Sequence, residues 1–485
     1  MVDFRLISKI IGSLLFLLGM LMTGCGLISV YYREDDIMAF VLSTLFTVCC
    51  GMVMKYFGRH ADNDMSRRDA FLLVALIWVV FSLLGMLPFL IGGYLTNVFD
   101  AFFETMSGFT TTGATIIDDV ERLPHGILFW RSLTQWIGGL GIVFLTIALL
   151  PSMVGGSVKV FAAEATGPMR AKMHPRLSTT AKWIWSVYLA LTIACGVSYW
   201  AAGMPWFDAA NYAMSTTSTG GFSTHNSSTV YFASATIDYL SVLFQFLAGI
   251  NFTLLYVVVF KWRMRDLLRN SEFRLYLTLI VAATVVVVWM LMTYNGYGLD
   301  RALRTGLFQV VSFATTTGMF NDDVSMWPWL SWMILAMLAF IGACSGSTTG
   351  GLKCVRVVML FKVLRNEFRR SLHPNAVLPV KINGQPVGGG RLVTLLAFTT
   401  IYTLMMLLAT GVMILADVDV VNAITIGLSC VSNIGPSLTT GIGPEMSWSE
   451  LADPLKLLLA ALMLIGRLEI MSVLVLFTRA YWKDN

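Results

Sequence analysis

Four tracts of this chain set hydroxyl and amide residues around a glycine in otherwise apolar sequence: TTTGAT around Gly113, STGGFS around Gly221, TTTGMF around Gly318 and SNIGPS around Gly435. The chemistry such tracts can do is done by their backbone. A ring of carbonyl oxygens at glycine-containing turns replaces the hydration shell of a potassium ion. Orienting successive carbonyls one way requires a positive φ, which glycine adopts without strain. The carbonyls assigned to the ring are those of Thr111, Thr112 and Gly113, of Thr219, Gly220 and Gly221, of Thr316, Thr317 and Gly318, and of Asn433, Ile434 and Gly435.

Short elements must bring these tracts to one axis. Asp100 and Asp208 stand 13 residues before Gly113 and Gly221, and Asp300 and Asp419 stand 18 and 16 before Gly318 and Gly435. Asp is a preferred N-cap, and a helix of about 10 to 13 residues rises about 15 to 20 Å, enough to reach a membrane midplane and no further. Entering from the outer side, each short helix would point the negative end of its dipole at the axis and favour a cation there. The four glycines are 108, 97 and 117 residues apart, as ancient internal duplication would leave them.

Composition supports a membrane setting: 56% of residues are hydrophobic and 13% charged, with a mean hydropathy of +0.74. Uncharged stretches long enough to span about 30 Å of hydrocarbon occur at Ile10 to Val30, Ile37 to Met54, Phe71 to Ile91, Ser132 to Leu150, Trp183 to Ala202, Tyr239 to Phe260, Leu275 to Thr293, Trp327 to Leu352 and Leu392 to Ala416. Leu455 to Thr478 is a tenth if Arg467 and Glu469 are accepted within it. Met22-Thr23-Gly24-Cys25 resembles a lipoprotein cleavage site, but the apolar run continues past the cysteine, so a first transmembrane helix is expected.

Of the 33 Lys and Arg, 26 fall on the side of the N-terminus, with only 9 of the 28 Asp and Glu. The positive-inside rule then puts both termini and the basic loops Lys55 to Asp69, Lys159 to Lys182, Lys261 to Arg274 and Lys353 to Arg391 in the cytoplasm. Topology and lipid headgroups account for most of that charge. Within the last loop, Leu378 to Val387 carries an Asn383-Gly384 hairpin signal between β-prone runs. A partner-docking hairpin and a plain connector are both open readings of it.

The expected fold is an all-α polytopic membrane protein. Residues 1–66 form two leading helices, and 67–160, 161–270, 271–375 and 376–485 form four repeats of helix, short helix, glycine tract and helix around one pore. The long helix after the third tract is interrupted by Gly342-Ala-Cys-Ser345-Gly346-Ser347-Thr348-Thr349-Gly350-Gly351, closely followed by Lys353. So many small and polar residues should break a helix, and exposed backbone at that depth lines a cavity. No phosphate-binding loop is read there, because the GxxxxGK[ST] order is absent.

These residues resemble the Trk/Ktr/HKT superfamily of potassium uptake proteins, and most closely its bacterial TrkH branch, across essentially the whole chain. The resemblance implies a pseudo-fourfold, K+-selective channel-like pore in the bacterial cytoplasmic (inner) membrane, assembly as a homodimer, and control by a cytoplasmic RCK-type nucleotide-binding regulator, TrkA-like. It also implies that the 342–351 stretch is an intramembrane gate below the filter. A serine at the first filter glycine accompanies sodium permeation in plant relatives, and Gly113 favours potassium. SNIGPS departs from the Thr-Thr-Gly pattern and keeps its glycine.

A charge inside the last span costs about 2.5 to 3.5 kcal/mol on insertion scales, so Arg467 should face the pore or a partner. It is expected to hydrogen-bond the 342–351 loop and repel cations while the pore is closed, with Glu469 pointing elsewhere. Glu104 and Arg131 are read as a scaffold pair behind the filter. An enzyme is not expected: the five histidines, His60, His125, His174, His225 and His373, fall in predicted loops without ligand pairs, and the seven cysteines show no paired spacing. No catalytic residue, bound cofactor or nucleic-acid partner is expected; K+ is the transported ion and membrane lipid the surroundings. Proton- or sodium-coupled symport is the alternative, although no chain of acidic residues runs through the spans.

Overall fold

The computed structural model describes residues 2–62, 65–141, 177–376, 378–436 and 448–483. The basic segment 159–176 and the end of the span read to Leu150 lie outside the described residues. The regular secondary structure of the described residues is helical, apart from one two-stranded hairpin.

Two leading helices, Phe4–Tyr32 and Ile37–Phe57, pack as an antiparallel pair. Small residues let their backbones meet: a Cβ built on Gly12 would lie 2.8 Å from Gly51 O. Asp3 caps the first helix by accepting from Arg5 N and Leu6 N. Its own N–H donates to Asp69 Oδ1 at 2.9 Å, and Asp69 closes a capping box with Ser66 at the start of Arg67–Gly85. The leading pair is thereby fastened to the first repeat at the end that carries Asp3, and the two share one apolar core.

The repeats follow in order. Their first helices are Arg67–Ile91, bent at Met86, then Leu177–Ala201, Ser271–Tyr294 and Gly389–Leu415. Their short helices are Val98–Phe109, Trp206–Ser218, Leu299–Ala314 and Val420–Ser432. The final helices begin at His125, Ala235, Trp329 and Asp453. Among the described residues six helices are long and apolar enough to cross a membrane. Large apolar side chains such as Met20, Val53, Trp289 and Leu408 stand exposed on them, as a lipid-facing surface requires.

Two spans read as continuous are broken. Ala235–Ala248 and Phe252–Lys261 meet at 103°, and Asp453–Arg467 and Ile470–Phe477 meet at 115°. At the first break Asn251 caps the new helix through Thr253 N and Leu254 N. At the second, Glu469 takes a positive φ of 63°. The expected Asp caps also need correction. Only Asp419 caps its short helix, accepting from Val421 N and Asn422 N. Asp100, Asp208 and Asp300 lie within the first turns of helices whose N-caps are Asn97, Pro205 and Gly298. There they still place negative charge against the positive helix end. His125 opens a helix and pairs with Glu34 at 2.7 Å, so it is not a loop residue. All seven cysteines are free, and the hairpin forms from Lys381–Ile382 and Gln385–Pro386 about Asn383-Gly384.

Candidate filter and intramembrane loop

Each short helix runs into its glycine tract through one recurring turn. Thr112 N donates to Ser107 O at 2.9 Å, Gly220 N to Ser215 O at 2.9 Å, Thr317 N to Ser312 O at 2.8 Å and Ile434 N to Ser429 O at 3.0 Å. Thr111, Thr219, Thr316 and Asn433 sit at φ of 54, 56, 52 and 56°, and Gly113, Gly221, Gly318 and Gly435 at 85, 85, 76 and 99°. A left-handed conformation is costly for a β-branched residue, and it recurs here three times at the same register. The left-handed residues alternate with one that is not, which swings successive carbonyls towards a common side.

The four turns close on each other in cyclic order. A Cβ built on Gly113 would lie 2.1 Å from Gly220 O, one on Gly221 2.2 Å from Thr317 O, one on Gly318 2.0 Å from Ile434 O, and one on Gly435 2.5 Å from Thr112 O. Each glycine therefore touches the carbonyl before the next glycine, and the fourth returns to the first. The ring holds buried threonines and is entered from one side through a polar vestibule lined by Gly113, Gly221, Gly318 and Gly435 together with Asp118, His225 and Asn226.

Side chains behind the ring fix its shape. Glu104 and Arg131, both fully buried, pair at 2.9 Å. Glu104 accepts from Ile116 N at 2.9 Å, and Arg131 Nη1 donates to Ser223 O at 3.2 Å. That pair ties the exits of the first and second tracts together. The first and third tracts share a hydroxyl link, Thr110 to Thr112 at 2.8 Å and Thr315 to Thr317 at 2.7 Å. In the fourth, Asn433 Nδ2 donates to Thr112 Oγ1 at 2.8 Å and to Met463 O at 2.9 Å, so the departure from Thr-Thr-Gly supplies the bond that joins the fourth tract to the first. Gly220 O already accepts from Gln135 Nε2 at 2.7 Å, which leaves it one lone pair for a cation.

Directly behind the ring, the final helix of the third repeat, Trp329–Ile341, stops at Gly342, and the chain resumes helix at Cys354. The intervening loop touches the second, third and fourth repeats directly and is linked to the first through Arg467. Thr348 Oγ1 donates to Thr217 O at 3.1 Å, Gly350 N to Thr316 Oγ1 at 2.7 Å and Gly351 N to Ser432 O at 3.1 Å. Arg467 completes the circle: Nη1 donates to Thr348 O at 2.6 Å, and Nη2 to Gly138 O at 2.7 Å and Gly139 O at 2.5 Å. A Cβ on Gly350 would lie 1.9 Å from Ser432 O, so the loop lies as close to the filter helices as backbone allows. Lys353 folds back onto Thr349 O and Oγ1, Ser347 Oγ meets Thr349 Oγ1 at 2.8 Å, and Gly342 and Gly346 take positive φ at the loop's turns.

Sequence reasoning missed several of these partners. A serine stands six residues before every filter glycine (Ser107, Ser215, Ser312, Ser429), and that spacing was available as a signal. The helix ends at Arg467, and Glu469, two residues on, pairs with Arg356 at 2.5 Å. Arg356 and Glu272 lie in the stretches read as basic loops; Arg356 Nη1 donates to Leu352 O, and Glu272 Oε1 accepts from Ser345 N. Among the described residues no cluster of His, Cys, Asp or Glu could hold a metal ion.

The family model described as "TrkH: Cation transport protein" matches residues 36–484. The chain is 37% identical over 486 residues to the Trk system potassium uptake protein TrkH of Salmonella typhimurium, covering 99% of this chain and 100% of that protein. It is 36% identical over 486 residues to TrkH of Escherichia coli strain K12, with the same coverage. The crystal structure of the potassium transporter TrkH from Vibrio parahaemolyticus superposes with a TM-score of 0.90 at 34% identity, over 99% of this chain and 100% of that one. With its apolar helices and four glycine turns, this chain belongs to the TrkH family of cation transport proteins.

Proposed function

We propose that the protein takes up potassium through a gated, K+-selective, channel-like pore whose filter is the ring of four glycine turns. The observation that carries this reading is the cyclic contact of each filter glycine with the carbonyl before the next. Such a ring offers a dehydrated cation oxygen ligands from all sides, and the C-terminal ends of four short helices add negative potential. A membrane potential supplies about 2.3 kcal/mol per charge per 100 mV, which drives uptake without a coupling ion.

The loop 342–351 with Lys353 and Arg467 is the gate. It lies across the axis behind the filter, and the buried Lys353 and half-buried Arg467 add an electrostatic barrier to K+. The charge asymmetry supports both termini in the cytoplasm of a bacterial inner membrane. Family membership supports a homodimer regulated by a TrkA-like RCK-type partner. The exposed face of Cys354–Leu372, with Phe361, Phe368 and Arg369, is surface available for such contacts.

Uptake of K+ by purified protein in proteoliposomes under an imposed potential tests the reading. Uptake that follows the potential and ignores proton and sodium gradients supports a pore. Uptake that appears only with one of those gradients supports symport instead.

A further inference from the structure

The transport reading leaves the cytoplasmic hairpin and one buried acid without a role, and the structure joins them. Val380, Ile382 and Val387 of the hairpin segment are buried together with Val355 and Met359, the first turns of the helix that leaves the gating loop. Asn366 Nδ2 of that helix donates to Leu378 O at 3.0 Å. At the hairpin tip, Asn383 Oδ1 accepts from Ser271 N at 2.8 Å.

The next residue is Glu272, which is 6% exposed. Its Oε1 accepts from Ser345 N at 2.5 Å and from Val355 N at 3.1 Å, and its Oε2 from Ser345 Oγ at 3.0 Å. One carboxylate therefore grips the loop near its start and just past its end. Lys353, the N-cap of Cys354–Leu372, makes no side-chain cap bond, so Glu272 supplies the acceptor that helix start lacks. Asn251 Nδ2 holds the same Ser345 from the opposite side, through its carbonyl, at 2.5 Å.

We propose that Glu272 is the positioning residue that holds the loop across the pore, and that the hairpin acts on it through the Asn383–Ser271 contact. The proposal rests on reading the 342–351 loop as the gate. It gives a cytoplasmic partner a route to the gate that passes through neither the filter nor Arg467.

The test is basal K+ flux of the full-length protein in proteoliposomes without partner. Glu272→Ala removes three charge-assisted hydrogen bonds and is expected to raise flux about tenfold. Glu272→Gln keeps an oxygen able to accept both N–H groups and should bring flux most of the way back. Asn383→Ala, an exposed change, should raise flux about threefold alone and add nothing in the Glu272→Ala background. K+ over Na+ preference should not move in any of them, because no filter contact is touched.

A loop shortened by deleting residues 345–349 separates the two claims. If it raises flux and Glu272→Ala does not, the positioning role fails and the gate stands. If it leaves flux unchanged, the gate reading falls and the proposal with it. Additive effects of Asn383→Ala and Glu272→Ala would break the hairpin link. Should Glu272→Ala fail to fold, Ser345→Ala and Asn383→Ala carry the same sign, and no rise in either overturns the proposal.

Discussion

The filter and the loop behind it are built on opposite plans. The filter repeats one device four times: a short helix, a serine carbonyl closing the turn, a left-handed residue and a glycine against its neighbour's carbonyl. The loop occurs once, in the third repeat, yet reaches all four through Thr217, Thr316, Ser432 and the arginine bridge to Gly138. A selective ring needs equivalent positions around the ion. A gate needs one element that can move without disturbing that equivalence, and a single loop held by side chains satisfies the requirement.

Perturbations of the two regions should therefore differ in kind. The largest effect belongs to the scaffold behind the ring: Glu104→Ala leaves Arg131 buried without its carboxylate and should destabilise the fold by about 3 to 5 kcal/mol, read as loss of folded protein after extraction in detergent. Next come the filter glycines. Gly318→Ala places a Cβ about 2.0 Å from Ile434 O and, with the strain of a left-handed alanine, should cut K+ flux about 100-fold, equivalent to roughly 2.7 kcal/mol. Gly113→Ala and Gly221→Ala should fall similarly; one that left flux and selectivity intact would break the fourfold equivalence.

The loop should respond with the opposite sign. Deleting residues 345–349 is expected to raise basal flux about tenfold, and Arg467→Ala, which removes one of several anchors, by a few-fold, about 1 kcal/mol. A fall in flux from either, in protein that folds normally, would put the loop among the ion's ligands and erase the contrast. Smallest is the Arg356–Glu469 pair. Because Arg356 also stacks on Phe398 at 3.7 Å, a double-mutant cycle with Glu469→Gln and Arg356→Met should give a coupling of about 1 to 2 kcal/mol in thermal stability.

Much of this was legible because the repeated part leaves a repeated trace. Gly113, Gly221, Gly318 and Gly435 announce themselves by type and spacing, and the run from Gly342 to Gly351 could not persist as helix in an apolar span. The bends at Gly249–Asn251 and at Glu469 were hidden, since both lie in stretches apolar enough to continue as helix. They break because Asn251 is engaged by Ser345 and Glu469 by Arg356, long-range partners that no local pattern reports. Glu272 was hidden for the same reason: an acid beside a basic loop looks like solvated charge until Ser345 and Val355 are brought to it. The Asp caps were overread, since Asp100, Asp208 and Asp300 stand two or three residues past the N-caps of their helices.

The central claim is that potassium passes through the ring of four glycine turns. Current through the purified protein in a planar bilayer, with potassium on one side and sodium on the other, tests it most directly. The account predicts a current that reverses near the potassium equilibrium potential and loses that preference in Gly113→Ser. A current with no preference for potassium, or one whose reversal potential is indifferent to Gly113, would contradict it.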